Sequence, residues 1–521
     1  MTRPLFSVVT PVYEPPQDVL QDMIDSVREQ SFQDWELVLV DDVSPSPQVR
    51  TILREAARAD SRITVIERSE NGRIVAASND GVNAATGEFI VLVDHDDLLP
   101  SEALQAVADA IEAEPAVDYL YSDEDKIDEN GGHYDTFRKP EWSPERLRGQ
   151  MYTGHLSVMR TSLVRRVGAF RQGFDGSQDH DLALRVTEQA RTIVHIPEIL
   201  YHWRVVPGSA AGDVNAKPYS WEAGRKAVGE HLRRSGIAGT AEFGPHPGYY
   251  RVNRSADPDV PVSVIVPTRG GSGLVWGQRR CFVVEAVRSL VAKAGHDKYE
   301  IVVVYDLPTP PVVLTELREI AGDRLVLVPF AEPFNFSAKC NEGFLASSGE
   351  VILLLNDDME LISDGFLEQM IAPLAEPGVG MTGAHLLYSD GTVQHAGLVY
   401  RKQHFGHAFL GAGADDPGSF GALLVSREAS GLTAACVAVL RSTYDEVGGL
   451  CEELPGSFND VDFSFKVRAA GFRLIWLADV KLYHFESRTR DKTVQPWEHH
   501  FVLDRWETPE KDFYLPELAA P

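Results

Sequence analysis

Short runs of aliphatic and β-branched residues alternate along this chain with longer segments in which apolar residues recur every three or four positions. Runs of the first kind, such as residues 6–14 and 35–42, predict buried strands, whereas residues 19–30 and 98–114 predict amphipathic helices. Strands that alternate with helices of this length predict an α/β fold with a mostly parallel sheet that is covered on both faces. In such sheets, ligands bind beyond the carboxyl ends of the strands.

The whole pattern occurs twice. Residues 78–97, SNDGVNAATGEFIVLVDHDD, match residues 340–359, CNEGFLASSGEVILLLNDDM, so that Asn79 and Asn341 are equivalent. Four further pairs of similar blocks occur in the same order in both halves of the chain. Five matched blocks in one order indicate a duplication rather than coincidence.

The duplication predicts two tandem domains of the same fold. Between the copies, one stretch can form a helix with Ala223, Ala227, His231 and Leu232 on one face, and Gly236 would end it. The residues after this helix are rich in proline and glycine and are predicted to be a linker. The C-terminal tail is too aromatic for disorder, so we expect it to pack on a domain. The predicted boundaries are 1–214 for the first domain, 215–258 for the helix and linker, 259–490 for the second domain and 491–521 for the tail.

The composition of the chain limits the classes of molecule that it is expected to bind and where in the cell it is expected to lie. The formal net charge of -28 argues against nucleic acid as a partner, because phosphate would be repelled. The four cysteines lack zinc-site spacing and indicate reduced, cytosolic thiols. The N-terminus lacks the apolar stretch of a signal peptide, and the apolar runs are too short to cross a bilayer. We expect a cytoplasmic protein with, at most, peripheral contact to the inner face of a membrane. The basic run at 159–172 is the candidate for such contact, and a solvated helix face is the alternative.

Carboxylates are crowded at the ends of two predicted strands. Asp94, Asp96 and Asp97 directly follow the apolar run in VLVDHDDLLP, and LLLNDDMELI has the same form in the second copy. Crowded carboxylates repel each other unless a cation compensates, and a hard divalent ion does so with oxygen ligands while it shares a substrate's phosphates. Asp94 and Asp96 therefore suggest a metal that bridges the protein and a pyrophosphate. The alternative is a cluster that caps the next helix.

In this order, the motifs resemble those of family 2 glycosyltransferases with the GT-A fold, over about residues 5–210 and 260–490. DHD at 94–96 resembles the metal-binding DXD motif, VDD at 40–42 the carboxylates that hold base and ribose, and TPVYE at 10–14 the first nucleotide-binding strand end. The resemblance implies a nucleotide-sugar site in each copy. Its residues are Pro11, Tyr13, Glu14, Asp41, Asp42, Arg73, Asn79, Asp94, His95 and Asp96 in the first copy, and Pro267, Thr268, Arg269, Asp306, Asn341, Asn356, Asp357 and Asp358 in the second.

The resemblance also implies a catalytic base and a metal shell. The family's base lies in an acidic pair at the start of a helix, which corresponds to Asp179 in SQDHD and Asp460 in FNDVD, with Asp181 expected to be structural. A helix N-terminus favours the ionised carboxylate, and ordinary helix-start acids are the alternative. In the family, a histidine completes the metal shell, and imidazole suits manganese better than calcium. The alternative for this histidine is packing in the core. The implied ligands of Mn²⁺ or Mg²⁺ are Asp94, Asp96 and His202 in the first copy and Asn356, Asp358 and His484 in the second.

The implied reaction is a direct displacement that inverts the anomeric configuration. The metal and Arg73 would hold the diphosphate, and Asp179 would accept the proton of an acceptor hydroxyl. The implied partners are a nucleotide-diphosphate sugar and a saccharide acceptor, expected to be lipid-linked. The tandem arrangement is similar to that of enzymes that build bacterial O-antigen and other cell-surface polysaccharides.

The second copy departs from the first. Asn356 stands where the first copy has Asp94, and Tyr305 stands at the position of Asp41. The leading hypothesis has two active transferase halves; the alternative has a catalytic first half and a second half that binds glycan or acceptor as a scaffold. A sugar-nucleotide pyrophosphorylase would need a glycine-rich, arginine-containing loop after the first strand, which the first copy lacks. Residues 385–435 are expected to shape the acceptor side. Acceptor or solvent contacts, rather than a zinc site, are expected for His395, His404 and His407.

Overall fold

The computed structural model describes residues 3–205, 218–485 and 494–518. Contacts divide the chain into two compact units, which are Met1–Gly236 with Ala241–Val252, and Ile237–Thr240 with Asn253–Pro521. The predicted domain boundaries at residues 214 and 490 lie outside the described residues. The predicted linker does not form a separate segment, because its residues are shared between the two units.

Unit 1 is built around an eight-stranded sheet. The strands in this part of the chain are β1 (Phe6–Val12), β2 (Trp35–Asp41), β3 (Ile63–Glu67), β4 (Phe89–Leu92), β5 (Val117–Ile127), β6 (His133–Phe137), β7 (Ser157–Arg160), β8 (Thr192–Arg204), β9 (Gly239–Phe243) and β10 (Tyr250–Arg254). The helices are α1 (Gln17–Arg28), α2 (Pro47–Ala59), α3 (Arg73–Ala84), α4 (Ala103–Ala113), α5 (Pro144–Gly149), α6 (Thr161–Arg166), α7 (Gln178–Thr187) and α8 (Pro218–Arg234).

Unit 2 is built around a ten-stranded sheet. Its strands are β11 (Val262–Thr268), β12 (Ser272–Val275), β13 (Gln278–Cys281), β14 (Tyr299–Asp306), β15 (Leu325–Phe330), β16 (Val351–Leu355), β17 (Met359–Leu361), β18 (Val379–Leu387), β19 (Val393–His395), β20 (Leu398–Arg401), β21 (His404–His407), β22 (Arg427–Glu428), β23 (Cys436–Leu440) and β24 (Arg473–His484). Its helices are α9 (Phe282–Lys293), α10 (Pro311–Ala321), α11 (Phe336–Leu345), α12 (Phe366–Ile371), α13 (Arg441–Glu446), α14 (Asn459–Ala469) and α15 (Pro496–Arg505).

The two sheets begin with the same strand order. In unit 1 the order is β3-β2-β1-β4, all parallel, and β7 follows antiparallel to β4. In unit 2 the order is β15-β14-β11-β16, again all parallel, and β23 follows antiparallel to β16. The registers place Asp41 opposite Val12 and Tyr305 opposite Thr268, so the strand-end positions are equivalent. Each unit therefore presents the acidic turn after its fourth parallel strand beside the end of its first strand.

Helices cover both faces of the unit 1 sheet because its strands are apolar on both sides. Val8 and Leu39 pack in a cluster that includes apolar residues of α1 and α2, whereas Val38 and Val40 pack on the other face against Ala77 of α3. Glycine permits α3 to lie close to β1. A Cβ at Gly81 would lie 2.5 Å from a methyl of Val9. Its counterpart Gly343 stands in the same relation to Ile265, at 2.4 Å.

The predicted interdomain helix forms, and the segment after it has more structure than a linker. Ala223, Ala227, His231 and Leu232 are all buried, and Gly236 adopts a φ of +68° two residues after the end of α8. The residues beyond Gly236 pair as the strands β9 and β10 rather than forming an irregular linker. Proline and glycine there provide turns within an ordered hairpin, which composition alone does not distinguish from a linker.

The described part of the tail packs on unit 2, as its aromatic content predicts. The ring of Trp506 stacks on Phe465 with centroids 5.4 Å apart, and its Nε1 donates to Asp462 over 2.8 Å. The guanidinium of Arg468 lies over the rings of Phe513 and Tyr514. The described part of the tail is therefore attached to unit 2 by contacts with α14.

Arginines of the basic run at 159–172 bind groups of their own unit. Arg160 pairs with Glu88 and Asp118, and Arg165 donates to backbone carbonyls at the C-terminal end of α3. Arg171 pairs with Asp181. These contacts do not favour the interpretation of this run as a lipid-binding surface. Among the described residues, no helix combines the length and the apolar character that crossing a membrane requires.

Candidate active sites

The acidic turn after β4 contains carboxylates with different surroundings. Asp94 is exposed on 42% of its side chain, and its Oδ2 lies 3.7 Å from Nε2 of His155. Asp97 is fully buried and accepts from the hydroxyl of Tyr201 over 2.5 Å and from the backbone N–H of Arg204 over 2.8 Å. Burial and the neighbouring Asp94 raise the pKa of Asp97 well above its ordinary value. Asp97 therefore anchors the turn to β8, whereas Asp94 faces outward.

The other members of DHDD have distinct environments. Burial raises the pKa of Asp96, with a further contribution from Asp94. Nδ1 of His95 donates to the carbonyl of Pro11 over 3.1 Å, which ties the acidic turn to the end of β1. The predicted strand-end residues Pro11 and His95 are thus brought together by a direct contact.

His155 was not predicted from the sequence. It lies just before β7, and its ring stacks on Tyr201 with centroids 4.5 Å apart. Ligand atoms of Asp94, Asp97 and His155 lie within 4.8 Å of one another, close enough to surround one metal ion. Only the pairing of β7 with β4 brings His155 to the acidic turn, and no motif marks it.

The structure places His202 in a different group. Its Nδ1 donates to Oδ1 of Asp125 over 2.5 Å, and Oδ2 of the same carboxylate accepts from Nδ1 of His133 at 3.0 Å. Ligand atoms of these three residues also lie within 4.8 Å of one another. The backbone of His202 pairs with Leu98, directly after the acidic turn. The role of His202 as a metal ligand remains a prediction.

Asp179 shares a cavity with Asp94 and His155. Pro11 and Ser78 also line this cavity. Burial, followed by repulsion from Asp94, raises the pKa of Asp179 to about 6. Nε2 of Gln178 donates to its Oδ2 over 2.7 Å.

The neighbouring acid on α7 has a different environment. Asp181 is fully buried and forms ion pairs with Arg171 and Arg185. Two acids on one helix turn are thus divided between a solvent-facing cavity and an internal ion-pair network, which agrees with the structural role predicted for Asp181.

The carboxylates after β2 organise the nearby loops. Asp41 accepts from the N–H of Ser44 over 2.9 Å and from Arg50 over 3.1 Å. Oδ1 of Asp42 accepts from Arg68 over 2.6 Å and from the N–H of Gly72 over 2.9 Å. Both carboxylates are almost fully buried. These bonds leave the predicted role in base and ribose binding untested.

The remaining residues predicted to contact the nucleotide in unit 1 lie near the surface. Glu14 accepts from the N–H of Ser46 over 2.9 Å, and Tyr13 is 51% exposed. Arg73 is exposed at the first position of α3, and its guanidinium makes no ion pair with a described residue. A phosphate is the kind of partner that such a free cation accommodates.

Asn79 and Asn341 make the same contacts in the two units. Asn79 donates to the carbonyl of Phe170 over 2.9 Å and accepts from the N–H of Phe170 over 3.0 Å. Asn341 exchanges the same two hydrogen bonds with Leu450, at 3.0 and 3.1 Å. Both ends of each amide are therefore engaged with a backbone loop. These contacts favour a structural role over the predicted nucleotide contact.

Unit 2 has a cavity of about 390 Å³ at the equivalent place. The predicted residues that line it are Pro267, Thr268, Arg269, Asn356, Asp357, Asp358, Asp460 and His484. Nε2 of His484 lies 3.2 Å from Oδ1 of Asp358, so two of the predicted metal ligands are in contact. Oδ1 of Asn356 is buried and has no hydrogen-bond partner among the described residues. An oxygen in this state fits a ligand or a cation.

The middle acid of NDD is buried beside the end of β11. Asp357 accepts from the hydroxyl of Thr268 over 2.6 Å. Burial, with repulsion from Asp358, raises the pKa of Asp357 to about 7. Asp357 and Thr268 are predicted site residues that the structure joins directly.

A buried lysine in unit 2 also was not predicted from the sequence. Lys339 is only 1% exposed, pairs with Asp306 and donates to the carbonyl of Thr268 over 3.1 Å. Arg269 lies 3.6 Å from the other oxygen of Asp306. The equivalent position in unit 1 is Ala77. The strand ends at Asp306 in unit 2 and at Asp41 in unit 1 therefore have different charged neighbours.

The helix that carries Asp460 begins as α7 does. Oδ1 of Asp460 accepts from the N–H of Val461 over 2.9 Å, and its side chain lines the cavity. Asp462 is fully buried and lies 3.5 Å from Lys466, which occupies the position of Arg185 in unit 1. The division between one cavity-facing acid and one internal acid thus recurs.

Two of the three histidines expected on the acceptor side contact each other. Nδ1 of His395 lies 2.8 Å from Nδ1 of His407, and Nε2 of His395 accepts from the N–H of Thr433 at 3.4 Å. His395 therefore donates through Nδ1 to His407. His407 lines the cavity, whereas His404 is exposed on the β20–β21 hairpin. Their contact with an acceptor remains a prediction.

Comparisons with known proteins agree with the duplicated pattern. The family model described as Glycosyl transferase family 2 matches residues 7–168 and 263–447. An uncharacterized protein, y4gI, of Sinorhizobium fredii is 41% identical over 534 residues, covering 99% of this chain and 58% of the relative. The O-antigen biosynthesis protein RfbC of Myxococcus xanthus is 36% identical over 525 residues, covering 99% of this chain and 40% of the relative. The chain thus spans about half the length of these relatives.

Solved structures with detectable similarity cover less of the chain. TarS of S. aureus in complex with UDP-GlcNAc is 20% identical with a TM-score of 0.36, covering 44% of this chain and 66% of that one. The mannosyltransferase PcManGT of Pyrobaculum calidifontis, in complex with GDP-Man and Mn²⁺, is 20% identical with a TM-score of 0.33, covering 45% of this chain and 64% of that one.

Proposed function

Because the chain belongs to glycosyl transferase family 2, we propose that it is a bifunctional inverting glycosyltransferase that moves sugars from nucleotide-diphosphate sugars to a growing cell-surface glycan. One observation carries this proposal. In each unit, an acid at the start of a helix, Asp179 or Asp460, lines the same cavity as a carboxylate of the strand-end turn, Asp94 or Asp358. A displacement at a sugar carbon needs a base and a diphosphate site on opposite sides of one space.

The similarity to a protein named for O-antigen biosynthesis supports a surface glycan as the product. A lipid-linked saccharide as the acceptor remains part of the proposal. We also propose that each compact unit is one transferase domain, since each contains its own strand-end acids and helix-start acid.

The side chains present fit a divalent cation. In unit 1, Asp94 and His155 line the cavity, and we propose His202, whose backbone pairs with Leu98 directly after the acidic turn, as a further ligand. In unit 2, Asp358, His484 and the unpartnered oxygen of Asn356 line the cavity. Oxygen and imidazole donors of this kind suit Mn²⁺ or Mg²⁺. When bound, such an ion would neutralise the negative charge that develops on the departing diphosphate.

The chain's own residues would perform the proton transfer. With a pKa of about 6, Asp179 is about nine-tenths ionised at pH 7 and still basic enough to accept a proton. The acceptor hydroxyl gives its proton to Asp179 as its oxygen bonds to the anomeric carbon. The bond from that carbon to the diphosphate oxygen breaks on the opposite face, so the configuration inverts. Arg73, an exposed cation at the start of α3, would contact the diphosphate.

The cavity of unit 2 supports the hypothesis of an active site over that of a scaffold, because candidate metal ligands and a candidate base all line it. Asp460 is placed as Asp179 is, and Lys339 adds a buried positive charge beside Asp306. The substitution of Asn356 for an acid is the observation that supports the alternative, a glycan-binding scaffold.

The test is nucleotide-diphosphate release from a panel of nucleotide sugars, with Mn²⁺ or Mg²⁺ and with or without a glycan acceptor. The wild type is compared with Asp179→Asn and Asp460→Asn. Loss of different donors or steps in the two variants supports two active halves. Loss only with Asp179→Asn supports the scaffold alternative for unit 2. Unchanged turnover in both variants would contradict the assignment of the base.

A further inference from the structure

The imidazoles of His202 and His484 are each held by a hydrogen bond to Nδ1. In unit 1, Nδ1 of His202 donates to Asp125 over 2.5 Å. In unit 2, Nδ1 of His484 donates to Oε1 of Gln394 over 2.6 Å. A neutral imidazole that carries its proton on Nδ1 has an unprotonated Nε2, which is the form that binds metals. Nε2 of His484 lies 3.2 Å from Asp358, and Nε2 of His202 has no hydrogen bond to a described residue.

The two partners come from non-equivalent places in the two sheets. Asp125 lies on the long strand β5, whereas Gln394 lies on the short strand β19. Both residues are 4% exposed. Two halves that derive from one ancestor thus hold the same ring nitrogen with different residues from different strands. A shared requirement on the orientation of the ring accounts for this arrangement, whereas inheritance of one residue does not.

We propose that Asp125 and Gln394 are positioning residues that keep Nε2 of His202 and of His484 available to a divalent cation, and that they make the two cation sites unequal in affinity. The inference rests on the proposed function, since it concerns the cation of the same two sites. A carboxylate behind a metal-binding imidazole makes the ring a stronger ligand than a neutral amide does.

A second difference acts in the same direction. The first position of the strand-end motif is Asp94 in unit 1 and the neutral Asn356 in unit 2. Unit 1 thus has two carboxylates, Asp94 and Asp125, in the two roles that amides, Asn356 and Gln394, have in unit 2. More negative charge around the ligands strengthens the binding of a hard cation. Unit 1 is therefore the tighter site.

The test measures Mn²⁺ binding rather than turnover. Free Mn²⁺ is followed by electron paramagnetic resonance while the full chain is titrated with MnCl₂. The wild type is expected to show two classes of site. Asp125→Asn keeps the shape of the side chain and should weaken the tight class about tenfold or more. Gln394→Glu should tighten the weak class by a similar factor. A residue that merely supports the fold would not tighten the site when substituted, so failure of this gain would overturn the proposal for unit 2.

His133→Asn is the matched control in unit 1, because His133 contacts the same carboxylate, at 3.0 Å. The variant should bind Mn²⁺ within about twofold of the wild type if Asp125 acts only through His202. If it binds as weakly as Asp125→Asn, the ion lies among Asp125, His133 and His202 themselves, and the positioning role is overturned. Far-ultraviolet circular dichroism of each variant, matched to the wild type, shows that altered binding does not arise from unfolding.

The inference and the proposed function fail in different ways. If the wild type binds no Mn²⁺ but still releases nucleotide in excess EDTA, the transferase function stands and the inference is overturned. If Mn²⁺ binds in two classes that respond to the substitutions as expected but no donor is turned over, the inference stands and the proposed function fails.

Discussion

Asp179 and Asp181 lie two residues apart on α7, and the same substitution should affect them in opposite directions. Asp179 is half-buried at the cavity without a cationic partner among the described residues, and burial raises its pKa to about 6. Asp181 is fully buried between Arg171 and Arg185. Replacement by asparagine removes the charge with little change of shape at either position.

The expected magnitude for Asp179→Asn follows from the pKa. The shift from the ordinary value of 3.8 to about 6 corresponds to roughly 3 kcal/mol, at about 1.4 kcal/mol per pKa unit. A carboxyl whose folded pKa is raised destabilises the folded state above that pKa, and this penalty disappears below the unfolded pKa. The variant should thus gain about 1 to 3 kcal/mol of unfolding free energy at pH 7.5, with the lower figure reflecting partial screening by solvent. The gain should vanish near pH 3.5.

Activity should change in the opposite sense. Loss of a general base lowers turnover by about 10²- to 10⁴-fold, so Asp179→Asn should be more stable and nearly inactive in the step of unit 1. Activity of the wild type in that step should rise with pH through about 6, as Asp179 ionises. Asp181→Asn should lose about 3 kcal/mol of stability, because the buried guanidinium of Arg185 loses its carboxylate partner.

The assays are urea unfolding at pH 7.5 and 3.5 and nucleotide release at 25 °C. Asp179→Asn that retains more than about a tenth of wild-type turnover would refute the role as base. A variant that loses both stability and activity would refute the argument that Asp179 is held at an energetic disadvantage for catalysis.

Three further predictions concern the scaffold. Asn79→Ala should cost about 2 kcal/mol in urea unfolding because two backbone groups lose their partner. A change equal to that of the control Asn83→Ala, at an exposed position on the same helix, would contradict this. Burial lowers the pKa of His385 to about 4, so its neutral form stabilises the fold above pH 6.5 and this contribution is lost as the pH falls towards 4. It amounts to about 3 kcal/mol, and His385→Gln should flatten the pH profile of unfolding by that amount. Gly81→Ala should lower the melting temperature, since its Cβ would meet the strand below at 2.5 Å; an unchanged melting temperature would show that α3 moves freely.

The fold class could be predicted because its signals are repeated and local. Apolar runs followed by amphipathic segments predict the parallel strands and helices of both units, and the prediction of a duplicated α/β fold of the GT-A class is confirmed by the sheets and by the two family matches. Segments without such periodicity give no comparable signal for their secondary structure. The β9–β10 hairpin was predicted as a linker because its turn residues are the same as those of an irregular segment.

Parts of each site could be predicted for the same reason. Acids that directly follow a buried strand must lie at the sheet edge. The structure shows the turn at Asp94 in contact with the end of β1 and the turn at Asp358 in contact with the end of β11. His155 and Lys339 carry no such mark, and they reach the sites only because β7 pairs with β4 and α11 crosses β11.

The sequence by itself determined two copies of one fold, the strand ends where chemistry gathers, and a helix-start acid in each copy, because spacing and periodicity act within about twenty residues. The tertiary structure alone decided which of the crowded acids face the cavity. Hydrogen bonds from Tyr201 and Arg204, more than a hundred residues away in sequence, hold Asp97 in the interior, while Asp94 stays exposed. Partners of this kind set the desolvation and charge around a carboxylate, and hence its pKa, so neighbours in sequence acquire different roles in space.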